Sequence, residues 1–237
     1  MKLRHTPENG RERLIVALDF ADSEQALTSA QQLADEISWF KIGLQLYTAE
    51  GPQIVRAIRE TGARVFLDLK LHDIPNTVAG AVTAAARLGV GMLTVHLSGG
   101  RKMLEAAVAA CPPDLLLLGV TVLTSSDKQT LLETGVASTV ADQTMRLAEL
   151  GVAAGIRGFI ASPQEVGALR GELGRESTLI TPGVRPIWAE ANDQKRFATP
   201  REAIMAGADY LVVGRPITAH HHPREAVSQI LDEIGSG

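Results

Sequence analysis

Short runs of β-branched or leucine-rich residues recur along the chain at 14–19, 39–44, 64–70, 92–97, 115–123, 158–162, 178–184 and 210–215, with helix-patterned segments between them. The mean interval from Leu14 to Tyr210 is about 28 residues, which suits one strand, a helix of roughly three turns and two short loops. The pattern predicts a strand and a helix repeated eight times. Several runs are apolar on both faces, as in Leu115-Leu116-Leu117-Leu118. Strands of that kind belong in a parallel sheet covered by helices, not in an antiparallel sheet with one wet face.

The intervening stretches carry helix boundaries. Asp22-Ser23-Glu24-Gln25 reads as a cap ahead of a helix from Ala26 to Ile37, and Pro75 stands near the first turn of a helix running to Leu88. Glycines at 62, 89, 151 and 207 fall where helices should stop before the next strand. No low-complexity stretch or linker interrupts the series, so residues 1–237 are expected to form one domain. The competing arrangement is an open doubly wound sheet, but the first strand is not followed by a Gly-x-Gly-x-x-Gly turn. The even spacing favours a closed (β/α)8 TIM barrel, an α/β fold without exposed sheet edges.

Charges interrupt these apolar strands at particular places. Alternate residues of a strand share a face, so Lys41 points with Trp39 and Gly43, away from Phe40, Ile42 and Leu44. By the same count Phe66, Asp68 and Lys70 share one face, while Val65, Leu67, Leu69 and Leu71 lie on the helix-covered one. Asp19 shares a face with Ile15 and Ala17. Asp19, Lys41, Asp68 and Lys70 should therefore converge at the barrel mouth, where alternating signs make their burial tolerable. A structural ion-pair network would look similar. The C-terminal ends of barrel strands, however, are where such enzymes place their chemistry. Asp73 lies past the expected strand end, so parity does not say where its carboxylate points.

A second signal sits late in the chain. Tyr210-Leu211-Val212-Val213-Gly214-Arg215 ends a strand with a glycine and an arginine, and Thr181-Pro182-Gly183-Val184-Arg185-Pro186 precedes a long polar stretch through Gln194 to Pro200. Barrels often bind phosphate with the loops after strands seven and eight, where backbone N–H groups and a bidentate arginine meet the oxygens. Loops of that length are often lids or ligand loops.

Composition narrows the partners. The formal charge of −4 over 237 residues gives no basic excess for nucleic acid or an anionic membrane. The single cysteine, Cys111, leaves no intramolecular disulfide and reads as an inert buried thiol. Charges occupy the start of the chain where a signal peptide would be apolar, and no stretch is long enough to span a bilayer, so a cytoplasmic protein is expected.

With these motifs in view, the chain resembles the orotidine 5′-phosphate decarboxylase family over nearly its whole length. The family's Asp-x-Lys-x-x-Asp signature stands here as Asp68-Leu69-Lys70-Leu71-His72-Asp73, followed by Ile74-Pro75-Asn76-Thr77. Asp19 and Lys41 match the family's residues on strands one and two, and Arg185, Gln194, Gly214 and Arg215 match its phosphate residues. Thr124, beside Ser125, aligns with the position that contacts the pyrimidine. The resemblance implies cofactor-independent, metal-free decarboxylation of orotidine 5′-phosphate to UMP. Lys41, Asp68, Lys70 and Asp73 would be the catalytic residues, with Lys70 as proton donor to C6. It also implies a homodimer in which Asp73, Ile74 and Thr77 complete the neighbouring subunit's site, and contact of Asp19 and Lys41 with the ribose hydroxyls.

Two other readings remain at this stage. Metal-dependent sugar-phosphate lyases on the same barrel share the signature but resemble one another in a glutamate where Lys41 stands, and a lysine there would repel magnesium. A noncatalytic nucleotide-binding regulator could use the same phosphate loops, without needing Lys70 among carboxylates. His220-His221-His222 reads as a solvated loop or helix start, since no carboxylate or cysteine stands at metal-ligand spacing from it. His96 either supports the charged array or is a hydrogen-bonded core histidine. Trp39 reads as packing, and Trp188 as part of the loop after strand seven.

Overall fold

A computed structural model of the protein describes residues 7–189 and 198–235. Eight parallel strands close in sequence order: β1 (Leu14–Ala17), β2 (Trp39–Gly43), β3 (Arg64–Leu71), β4 (Met92–His96), β5 (Leu116–Val120), β6 (Gly158–Ile160), β7 (Thr178–Pro182) and β8 (Tyr210–Val213). β8 pairs with β1, with Ile15 opposite Val212. The helices, in chain order, are α1 (Gly10–Arg13), α2 (Ser23–Leu33), α3 (Leu44–Glu50), α4 (Pro52–Glu60), α5 (Pro75–Arg87) and α6 (Arg101–Ala110). They continue with α7 (Lys128–Glu133), α8 (Val140–Ala154), α9 (Pro163–Leu173), α10 (Pro200–Met205), α11 (Arg215–Thr218) and α12 (Pro223–Gly235). Among the described residues no helix is long and apolar enough to cross a membrane.

Strand parity sorts the core into two layers. Ile15, Ala17, Trp39, Phe66, Met92, Leu118, Ile180 and Val212 fill the barrel interior. Their neighbours Leu14, Val16, Phe40, Ile42, Val65, Leu67, Leu93, Leu117, Leu179 and Leu211 pack outward under the helices. Both faces of most strands are thus dry, which is why the strands read as continuous apolar runs. Trp39 is a floor residue of this interior, set edge-on to Tyr210 at 6.3 Å and covered by the Arg64 guanidinium at 4.9 Å. Burial pushes the Tyr210 hydroxyl up to about 12.

The observed strands begin and end within a few residues of the predicted ones, and two local readings are corrected. Leu44 is the first residue of α3 and 54% exposed, so it is not a strand residue on the apolar face. Gly151 does not stop a helix. It lies inside α8, whose chain reverses at the left-handed Gly155. A Cβ on Gly151 would come within 2.8 Å of Leu97 and 2.9 Å of Phe159, so this glycine lets the helix sit close on the barrel. The other three glycines follow α4, α5 and α10 with positive φ, as expected. Asp22 caps α2 by accepting the Gln25 N–H, but the helix begins at Ser23 instead of Ala26 and ends at Leu33 instead of Ile37. Cys111 is half-buried at the end of α6, its thiol donating to the Leu115 carbonyl at 3.2 Å.

An ion pair marks the end of the barrel away from the mouth. Arg170 on α9 donates to Asp209 at 2.6 Å and to the carbonyls of Gly207, Gly174 and Ser177. It ties together the entries to β7 and β8. At the N-terminal ends of the strands, a satisfied ion pair of this kind serves stability.

Candidate active site

β1, β2 and β3 deliver their charges to one side of the mouth. Lys41 has Ala17 and Phe66 as its neighbours across the sheet, which places it at the top layer of the interior. Its Nζ lies 3.0 Å from Asp19 and 3.7 Å from Asp68. Lys70 Nζ lies 2.8 Å from the same Asp68 oxygen. The result is a continuous row, Asp19, Lys41, Asp68, Lys70, in which each charge adjoins one of opposite sign. Gly43 leaves room for it, since a Cβ there would come within 3.1 Å of Lys41 Nζ and 3.3 Å of Asp19.

Asp68 is only 8% exposed, and a carboxylate so placed needs its oxygens satisfied. The two lysines meet one oxygen, and the Thr94 hydroxyl donates to the other at 2.9 Å. The same Thr94 oxygen accepts the Lys70 N–H at 2.8 Å. Thr94 thus holds both the carboxylate and the backbone of the lysine beside it. That backbone is unusual: Lys70 has φ of 50°, in the left-handed region, at a cost of roughly 1–2 kcal/mol for a residue with a side chain. The strain coincides with an irregularity in β3. Leu67 faces Leu93 while Leu71 faces Val95, so β3 takes four steps where β4 takes two. An excess of two residues preserves the alternation of side chains, and Leu69 and Leu71 still pack outward as parity requires.

His96 ends β4 next to this row. Its pKa is lowered from the ordinary histidine value, first by burial and then by His72 and Lys70, with Asp68 opposing. Its ring lies 5.6 Å from that of His72.

Across the mouth from the row, the loop after β7 and the start of α11 close a pocket of about 270 Å3. Eight residues expected at the site line it: Asp19, Lys41, Asp68, Lys70, Thr124, Arg185, Gly214 and Arg215. Arg185 is 5% exposed, whereas Arg215 stands at the rim. Thr124 lines the pocket and the exposed Ser125 does not. Apolar side chains, among them Phe66, Val120, Ile160 and Val212, make the floor.

Two expected site residues, Asp73 and Thr77, stand apart from this pocket. Asp73 and Thr77 are exposed, beyond the end of β3 and in the first turn of α5. Asp73 accepts the N–H of Ile74 at 2.6 Å, and Ile74 is 66% exposed. Gln194 lies outside the described residues. Sequence reasoning missed Thr94, although its signal was present: it shares the inward parity of Met92 and His96 on β4, and a polar residue there needs a partner inside the mouth. His220 is half-buried and His221 and His222 are exposed, in the segment leading into α12, as expected of a solvated turn.

A closed eightfold barrel with a lysine–carboxylate row and two arginines around one apolar-floored pocket defines a barrel enzyme with its site at the C-terminal ends of the strands. Residues 12–230 match the orotidine 5′-phosphate decarboxylase / HUMPS family, and the chain belongs to it. It is 49% identical over 236 residues to the orotidine 5′-phosphate decarboxylase of Syntrophotalea carbinolica, covering 95% of this chain and 96% of that one. It is 49% identical over 230 residues to that of Halorhodospira halophila, covering 96% and 98%. The crystal structure of orotidine 5′-phosphate decarboxylase from Lactobacillus acidophilus superposes with a TM-score of 0.83 at 36% identity, covering 94% of this chain and 99% of that one.

Proposed function

We propose that the protein is a cytoplasmic orotidine 5′-phosphate decarboxylase that forms UMP, the last step of UMP synthesis, without metal or cofactor, and that it works as a homodimer. The observation that carries this reading is the placement of Lys70. Its ammonium is held 2.8 Å from Asp68 at the edge of a pocket whose other side carries Arg185 and Arg215. Breaking the bond from C6 to the carboxylate leaves an electron pair on C6 in the plane of the pyrimidine, and carbon dioxide departs. A fixed cation beside C6 stabilises that charge as it develops. Lys70 then gives a proton to C6, yielding UMP, and recovers one from water.

Asp68 adjoins the place the substrate carboxylate takes, so repulsion between them falls as carbon dioxide leaves. Asp19 and Lys41 are available to the ribose hydroxyls, and Thr124 to the pyrimidine. Arg185, Gln194, Gly214 and Arg215 take the phosphate, whose binding far from the reacting carbon contributes to turnover as well as affinity. The matched family also contains metal-dependent members. Lys41 supports the metal-free reading, because its Nζ stands between Asp19 and Asp68, where a divalent ion bridging those carboxylates would have to sit.

The residues that the single chain leaves exposed support the dimer. Asp73, Ile74 and Thr77 present a carboxylate, an apolar side chain and a hydroxyl at the mouth end, and Asp73 forms no ion pair among the described residues. In a twofold dimer the same patch serves both subunits, so the Asp73 of one copy would extend the other's row beyond Lys70. Lys70→Ala and Asp73→Ala should each be nearly inactive alone. Their equal mixture should recover about a quarter of wild-type activity, since half the dimers formed at random carry one intact site. Decarboxylation assays after refolding the mixture provide the check. An Asp73→Ala protein with full activity, or a mixture no better than its components, would rule out the shared site.

A further inference from the structure

The loop carrying Arg185 and the segment carrying Arg215 leave the barrel from different strands and meet again at the rim. Trp188, three residues after Arg185, sets its indole edge-on against the imidazole of His220, five residues after Arg215. The ring centroids are 5.3 Å apart and the planes cross at 72°, an attractive geometry for two aromatic rings. Among the described residues Trp188 joins neither apolar core and is 38% exposed, and His220 is only half-buried, so core burial does not account for the contact.

Both partners are held from behind. The His222 N–H donates to His220 Nδ1 at 3.0 Å, and the same Nδ1 lies 3.0 Å from the His222 carbonyl, to which it can donate when it carries the proton. The ring is therefore pinned in either state. On the other side, the Ala189 N–H closes a turn around Trp188 by donating to Pro186 at 3.0 Å. The Ile187 backbone lies close enough to Glu233 on α12 to lower a carboxyl pKa that burial pushes up. The base of the loop is fixed where Arg185 N–H donates to Ala198 at 2.9 Å.

We infer that Trp188 and His220 form an aromatic clasp that fixes the spacing of Arg185 and Arg215, making the two rings positioning residues for the phosphate end of the substrate. This rests on the proposed function. β7 and β3 are opposite one another in the closed order of eight strands, so loosening the clasp should leave Lys70 and Asp68 undisturbed. The effect should appear only with substrates that carry a phosphate.

The chain has two tryptophans, so subtracting the emission of each protein's Trp188→Phe counterpart isolates Trp188. His220→Ala should shift that emission to the red in the ligand-free protein. It should also lower kcat/KM for orotidine 5′-phosphate roughly three- to tenfold, with kcat/KM for orotidine, which lacks the phosphate, unchanged. His220→Phe, which keeps a ring for Trp188, should stay close to wild type with both substrates. An unshifted emission, equal losses with the two substrates, or no loss with the phosphorylated one would overturn the clasp. If wild-type protein binds UMP without turning over orotidine 5′-phosphate, the functional reading fails instead. The clasp is then judged by UMP affinity, which His220→Ala should weaken by the same factor and whose constancy would overturn it.

Discussion

Lys70→Ala should abolish decarboxylation of orotidine 5′-phosphate while leaving UMP binding at the phosphate end in place. The expectation follows from the double task proposed for this ammonium group, to stabilise the carbanion and to supply the proton. The alanine variant has neither the charge nor the proton. It also leaves Asp68 with Lys41 as its nearest remaining cation, at 3.7 Å. Single-turnover measurement of carbon dioxide release separates loss of chemistry from loss of binding. Near-normal turnover would exclude Lys70 as the donor, and loss of UMP binding would show that the substitution had disturbed the whole mouth.

The second large effect concerns the far end of the pocket. Arg215→Ala should lower kcat/KM by about 2–3 kcal/mol, or roughly 30- to 150-fold, which is the lower part of the range for truncating one partner of a buried charge pair. The lower part applies because Arg215 stands exposed at the rim, where water screens its charge until the ligand covers it. Arg215 is also the cleaner arginine to remove. The Arg185 side chain is buried, at 5% exposure, so its truncation would open a void and mix lost binding with lost structure. Steady-state kinetics of Arg215→Ala decide the matter, and an unchanged kcat/KM would show that Arg215 does not hold the phosphate.

The fold was legible because both of its signals are periodic. An interval of about 28 residues repeats through the chain, and side chains alternate along each strand. Parity placed Asp19, Lys41, Asp68 and Lys70 in one mouth without any knowledge of distances, and it survived the irregularity of β3 because two extra residues restore the same face. The left-handed turn at Lys70 was not legible, since nothing in Leu69-Lys70-Leu71 distinguishes it from regular strand. Gly151 misled because glycine serves both to end helices and to let them approach closely, and only the packed neighbours Leu97 and Phe159 tell the uses apart. The contact of Trp188 with His220 joins residues on separate excursions from the barrel, beyond the reach of any local pattern. The expectation that Thr77 and Asp73 serve the site rests on the family signature alone, for a single chain leaves both exposed.

The most direct test of the central claim is to follow the ultraviolet absorbance of orotidine 5′-phosphate with purified protein in excess EDTA. Rapid loss of the substrate signal with stoichiometric formation of UMP, at a rate unchanged by the chelator, is the predicted result. Substrate that persists, or turnover that stops with EDTA and returns with magnesium, would contradict the account.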